Sequence, residues 1–166
     1  MEISIKPLTL YAAVILTGLS AGLFYAWSVS VIPGTRKIPD FTYLEAMQSI
    51  NRAILNPAFF LIFFGSPIAL GISTFQQYNA GAAFWLLLAA FVTYAFGTFG
   101  VTALGNVPLN NSLDALQLTA LSQTEIADFR KSYEQPWNRL HSIRTVFAVL
   151  AFLLSLLVVF TRFKTI

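Results

Sequence analysis

The chain has 166 residues, with 10 Lys plus Arg against 7 Asp plus Glu, a net charge of +3. Hydrophobic residues make up 57% and charged residues 10%, with 16 Phe and a mean hydropathy of +0.70, too little polar surface to clothe a water-soluble domain. The composition excludes a disordered or collagenous chain, and the lack of Cys excludes a disulfide scaffold, an iron–sulfur cluster and a Cys-based zinc site. The solvent is lipid, and the basic balance reflects cations flanking membrane spans rather than a nucleic-acid partner.

A spanning helix requires about 20 mostly apolar residues, because the hydrocarbon core is about 30 Å thick and a helix rises about 1.5 Å per residue. Four stretches meet this requirement: 8–32, 57–76, 80–107 and 140–161. The first is too long for a secretory leader and ends at Pro33-Gly34 before Arg36-Lys37. The second opens on Asn56-Pro57, with proline in the tolerated first turn, and the fourth closes on Arg162 and Lys164. All four are uncharged through their centres, which predicts an all-α fold: an integral membrane four-helix bundle forming a single transmembrane domain over 1–166. Small residues recur at Gly18, Gly22 and Ala26, and again at Gly97 and Gly105, the spacing that lets membrane helices approach closely.

The two long connections carry the polar chemistry. From Tyr43, the first shows helical periodicity, with Leu44, Met47, Ile50 and Ile54 on one face, predicting a short helix along the membrane surface. In the second, Ser122 or Thr124 caps a short helix through Tyr133, Gln135-Pro136 ends it, and a new helix from Pro136-Trp137 enters the fourth span. If the spans alternate, the termini and the 76–79 turn share one side with three Lys and Arg, and the connections share the other with seven. Without Arg52, Arg139 and Arg144, which a buried site would hold, the count is three against four, and sidedness stays open.

On the last helix Trp137, His141 and Arg144 are spaced i, i+4, i+7 and share a face, with Asn138 at its edge. His141 is the only histidine. The trio reads either as an interfacial anchor or as part of a site. Asn51, Arg52 and Asn56 precede the second span, and Asn106, Asn110 and Asn111 surround Pro108 after the third. In an alternating bundle these clusters reach the same bilayer face, where they either line a common cavity or clip the connections to the bundle.

Four blocks in order, AGLFYAWSVSVIPG, AMQSINRAILNPAFF, LGNVPLN and PWNRLHSIRT, resemble the anthrone oxygenase-like integral membrane proteins. The resemblance covers nearly the whole chain. It implies a four-helix membrane protein and, for fungal pathway members, oxidation of an anthrone to an anthraquinone by molecular oxygen without a recognised metal or organic cofactor.

Such a reaction takes a base to remove a proton from the activated methylene and donors to hold the enolate oxygen. His141 is then the candidate base, Arg52 or Arg144 with Asn106 or Asn138 the anion-stabilising set, and Trp137, Trp27 and Tyr25 the packing surface for a flat ligand, with Asn51, Asn56 and Asn110 as further lining. One His and dispersed carboxylates offer no recognisable metal-ligand set, and no cofactor is expected. The expected partners are membrane lipid, a hydrophobic anthrone- or quinol-like molecule and molecular oxygen, with a homo-oligomer left open and the cell membrane as location. The competing expectation is a non-catalytic subunit holding a lipid, a quinone or partner helices; a transporter ranks behind both, since the chain shows no duplicated half.

Overall fold

A computed structural model describes residues 5–162. Five helices follow in order: α1 (Ile5–Thr35), α2 (Asp40–Ala53), α3 (Pro57–Gln76), α4 (Ala82–Asp114) and α5 (Gln123–Arg162). The described residues contain no strand, and α1, α3, α4 and α5 are long and apolar enough to cross a membrane. Lys164 and the side chain of Arg162, expected to close the last span, lie outside what is described.

Burial follows the logic of a lipid solvent. Within the bundle Leu10, Ala13, Leu70, Leu87, Ala90, Ala151 and Val158 pack as a core, yet the exterior is equally apolar, with Leu104 85%, Phe75 82% and Phe96 75% exposed. Such a surface would associate in water and suits an apolar solvent. Gly97 and Gly105 let α4 approach α5: a methyl group on Gly97 would lie 2.1 Å from the Phe147 ring, and one on Gly105 2.9 Å from Leu140. On α1 only Gly18 serves this purpose, against Phe152, while Gly22 has open space around it and Ala26 is exposed.

Helix ends follow their local chemistry. Asn56 caps α3 by accepting from the Phe59 N–H at 3.0 Å, directly ahead of Pro57. Ser122 and Glu125 form a reciprocal cap ahead of α5: the Ser122 N–H donates to Glu125 at 2.8 Å, and the Glu125 N–H donates to the Ser122 hydroxyl at 3.3 Å.

Two expectations are corrected. Pro136 does not end a helix: α5 runs unbroken through it for 40 residues, about 60 Å at the usual rise, so much of it stands beyond a bilayer of ordinary thickness. A proline forfeits one backbone hydrogen bond, but Tyr133 and Trp137 on either side of it are buried, and their packing holds the helix together. Nor does α2 present its apolar face to the membrane surface alone. Tyr43, Leu44 and Met47 pack against Leu113, Leu118, Ile126, Tyr133 and Trp137, forming a second core that covers one end of the bundle. The helix that holds the third apolar stretch runs on from 107 to Asp114.

Arg130 fastens this cover. Its guanidinium pairs with Asp40 at 2.9 Å and Glu134 at 2.8 Å, and donates to the carbonyls of Ile38 at 2.7 Å and Thr35 at 3.3 Å. The Tyr43 ring lies 4.3 Å beneath it. One side chain thus joins the end of α1, the start of α2 and α5 through charged and backbone acceptors.

Candidate functional site

Under the cover, all five helices border a cavity of about 80 Å³ lined by Leu23, Phe24, Trp27, Ile50, Asn51, Ile54, Leu55, Phe59, Thr102, Val107, Asn110, Trp137, His141 and Arg144. Its walls are mostly apolar, and its polar groups fall into two sets.

The deeper set centres on Arg144, only 8% exposed. Its Nε and Nη2 donate to His141 Nδ1 at 3.2 and 2.9 Å, and its Nη1 donates to the Thr102 hydroxyl at 3.4 Å. Arginine has only donors, so Nδ1 must accept and the imidazole proton resides on Nε2. Nε2 donates to the Phe24 carbonyl at 3.1 Å, with the Ser28 hydroxyl at 3.0 Å beside it. The guanidinium carbon lies 4.6 Å from the Phe24 ring centre and 5.2 Å from that of Trp137, and Trp137 stacks on the imidazole with centres 5.2 Å apart. No carboxylate among the described residues pairs with Arg144. Of its five N–H groups, three are engaged, leaving a hydrogen on each terminal nitrogen for an acceptor. A buried cation without a counter-ion costs several kcal/mol, only part of which aromatic faces offset. The arrangement is therefore complementary to an oxygen anion or a strongly polarised carbonyl.

The second set lies toward the cover. Trp137 Nε1 donates to Asn110 Oδ1 at 2.7 Å, the Tyr133 hydroxyl donates to the same oxygen at 3.2 Å, and Asn51 Nδ2 donates to that hydroxyl at 3.2 Å. The Trp137 indole thus has its N–H in one set and its face against the other.

Local backbone geometry aims these groups. Alpha-helical turns give way to wider π-type turns at Trp27–Val31, Thr93–Gly100 and Thr102–Asn106. Widened turns rotate the side chains that follow them relative to an α-helix and recur at functional sites. Trp27, Ser28, Thr98, Thr102 and Asn106 all fall in these segments; Thr98 donates to the Arg144 carbonyl at 3.3 Å.

Of the residues expected from sequence, His141, Arg144, Trp137, Trp27, Asn51 and Asn110 line the cavity. Asn106 lies behind the wall, fully buried, its Nδ2 donating to the Trp137 carbonyl at 3.2 Å and its Oδ1 unpaired. Four expected members are elsewhere. Arg52 pairs with Asp114 on the surface, with side chains 62% and 51% exposed, and Asn56 is occupied as a helix cap. Tyr25 is exposed on α1, and Asn138 borders an open groove on another face of α5. The reason is angular: Tyr25, Arg52 and Asn138 each follow a lining residue, and consecutive helical side chains diverge by about 100°. The reading from sequence missed Phe24, Ser28, Thr98, Thr102 and Tyr133. A serine or threonine in an apolar span is too common a signal to single out, and the π-type turns that hold Ser28, Thr98 and Thr102 leave no mark in composition; Phe24 and Tyr133 are two aromatic residues among many.

No group of three or more His, Asp or Glu side chains gathers to hold a metal among the described residues.

Fold and site together define a helical membrane protein with a buried, cation-bearing aromatic cavity under an extramembrane cover. The model of the family described as anthrone oxygenase matches residues 57–154, more than half of the chain, and the chain belongs to that family. The matched segment contains Asn106, Asn110, Trp137, His141 and Arg144, while α1 and α2, which contribute Phe24, Trp27, Ser28 and Asn51, precede it. Comparisons with curated proteins and with solved structures find no match.

Proposed function

We propose that the protein is a membrane-embedded oxygenase that oxidises a hydrophobic, anthrone- or quinol-like aromatic molecule with molecular oxygen, without a cofactor. The observation that carries this reading is Arg144: a guanidinium buried among Phe24, Trp27 and Trp137, bound to an imidazole and free of any carboxylate partner among the described residues.

The substrate carbonyl takes the free N–H groups of Arg144 and draws the guanidinium off His141 Nδ1. The exposed Nδ1 lone pair removes a proton from the activated methylene, and the electron pair left behind is delocalised onto the oxygen held by Arg144. The enolate carbon transfers its electrons to molecular oxygen and forms a carbon–oxygen bond; the distal oxygen takes the proton back from His141. Loss of the second methylene proton with departure of hydroxide leaves a carbonyl and one water, so one methylene and one O₂ become one C=O and one H₂O. Trp137 and Phe24 flank the guanidinium and keep the dielectric low, which strengthens each charge interaction.

The cavity is small beside the roughly 300–1,000 Å³ of ordinary ligand pockets, so a three-ring substrate must displace rim side chains, of which Leu55 is 63% exposed. The test is oxygen uptake by purified protein in lipid nanodiscs supplied with an anthrone. Acceleration over spontaneous oxidation, abolished in His141→Ala, supports the reading; equal rates for the two proteins overturn it.

A non-catalytic holder of a quinone is the second reading, favoured by the engagement of both imidazole nitrogens without any ligand. Tight quinone binding with no oxygen uptake would select it.

A further inference from the structure

Beside the end of α1, an open groove of about 480 Å³ is bordered by Arg36, Lys131, Glu134, Asn138, Arg139 and Ser142. It shares no side chain with the buried cavity. Three cations surround it, and none of the three takes part in an ion pair among the described residues. Its single carboxylate, Glu134, is already held by Arg130 at 2.8 Å. The groove therefore presents a local excess of positive charge, its one carboxylate being held by a fourth cation outside the lining. Asn138 and Ser142 add neutral hydrogen-bonding groups, although the Ser142 hydroxyl also donates to the Asn138 carbonyl at 3.0 Å. One turn beyond Ser142 along α5, Val146 is 56% exposed, and on α1, which packs against α5, Val29 is 55% exposed. The groove lies where extramembrane polarity gives way to lipid-facing surface.

We propose that this groove is a binding site for the phosphate of an anionic membrane lipid, held by Arg36, Lys131 and Arg139, with the acyl chains running down past Val29 and Val146. Arginine and lysine are the side chains suited to phosphate oxygens, and cations just outside a span attract anionic headgroups. The site is independent of the reaction assigned to the cavity.

Native mass spectrometry of the full chain released from nanodiscs containing equal phosphatidylglycerol and phosphatidylcholine tests the assignment. Wild type is expected to retain phosphatidylglycerol preferentially, and a protein carrying Arg36→Gln, Lys131→Gln and Arg139→Gln to retain it about tenfold less or weaker still. Lys6→Gln, on α1 far along the sequence from the groove, should retain it like wild type. Should the triple variant fold poorly, Lys131→Glu alone gives the same readout with two native cations in place. Equal retention by wild type and either groove variant overturns the site. Retention of added inorganic phosphate, with no preference between the two lipids, overturns the lipid assignment in favour of a soluble anion.

Discussion

At the scale of single residues, Arg144 separates function from stability. A buried charge without a counter-ion destabilises a fold, so Arg144→Met, which keeps apolar bulk between Phe24 and Trp137, should melt in detergent at or above the wild-type temperature. The same variant should lose about 100-fold or more in oxygen uptake with an anthrone, the scale at which removal of an oxyanion donor is felt. Arg144→Lys should recover little, since one ammonium point charge does not reproduce the planar fork reaching His141 and Thr102. A melting temperature that falls together with activity in Arg144→Met would mean the guanidinium is a structural clip. Trp137, His141 and Arg144 were legible in the sequence as one face, because helical spacing fixes which positions coincide. The spacing that sets Arg52 apart from Ile50 and Ile54 on α2 was legible too; its partner Asp114 at the end of α4 was not, because that contact joins distant segments.

At the scale of elements, contacts between helices discriminate glycines that look alike in sequence. Gly97 faces the Phe147 ring so closely that an added methyl has no room, whereas Gly22 meets nothing within 4 Å. Gly97→Ala should therefore destabilise by about 1–3 kcal/mol, as overpacking does, while Gly22→Ala should be neutral or stabilising by up to about 1 kcal/mol through helix propensity. Comparative thermal unfolding in one detergent checks both; equal effects would refute the packing of α4 on α5 described above. On α2, burial pushes the Tyr43 phenol above its ordinary value, with a smaller contribution in the same direction from Glu134. The neutral phenol is thus favoured in the folded state. This contribution is fully present below about pH 10, where the unfolded phenol begins to ionise, and is lost as pH rises through the folded value. Tyr43→Phe should move the alkaline unfolding midpoint upward, read by far-ultraviolet circular dichroism; an unchanged midpoint would count against this burial. The small-residue pattern was visible in the chain, but which of its members met a neighbour depended on helix rotation.

At the scale of the whole molecule, the second apolar core joins the cover to the bundle, and Arg130 adds several polar links at once. Arg130→Met strands Glu134, 18% exposed, and leaves the carbonyls of Thr35 and Ile38 without this donor, while the half-exposed Asp40 stays hydrated, so it should cost about 1–3 kcal/mol. The loss should be local. Amide exchange should quicken across α2 while α3 stays protected, and uniform acceleration through both would show that cover and bundle unfold as one. Since Asn51, Ile50 and Ile54 reach the cavity from α2 and its following turn, the same variant should also weaken retention of a flat aromatic ligand.

Composition alone determined the solvent, and runs of uncharged residues determined where four helices cross it, because about 30 Å of hydrocarbon admits no unpaired backbone and few charges. Local chemistry likewise narrowed the cap of α5 to Ser122 or Thr124, and the structure chose Ser122; that Asn56 caps α3 instead of lining the cavity was also decided by the structure. The tertiary structure decided that α5 continues through Pro136, that α2 docks onto the extramembrane half of α5, and that π-type turns bring Ser28 and Thr102 to His141 and Arg144. These outcomes turn on the rotation of one helix against another. That rotation is set by interlocking side chains far apart in the chain, and no pattern within a single segment encodes it.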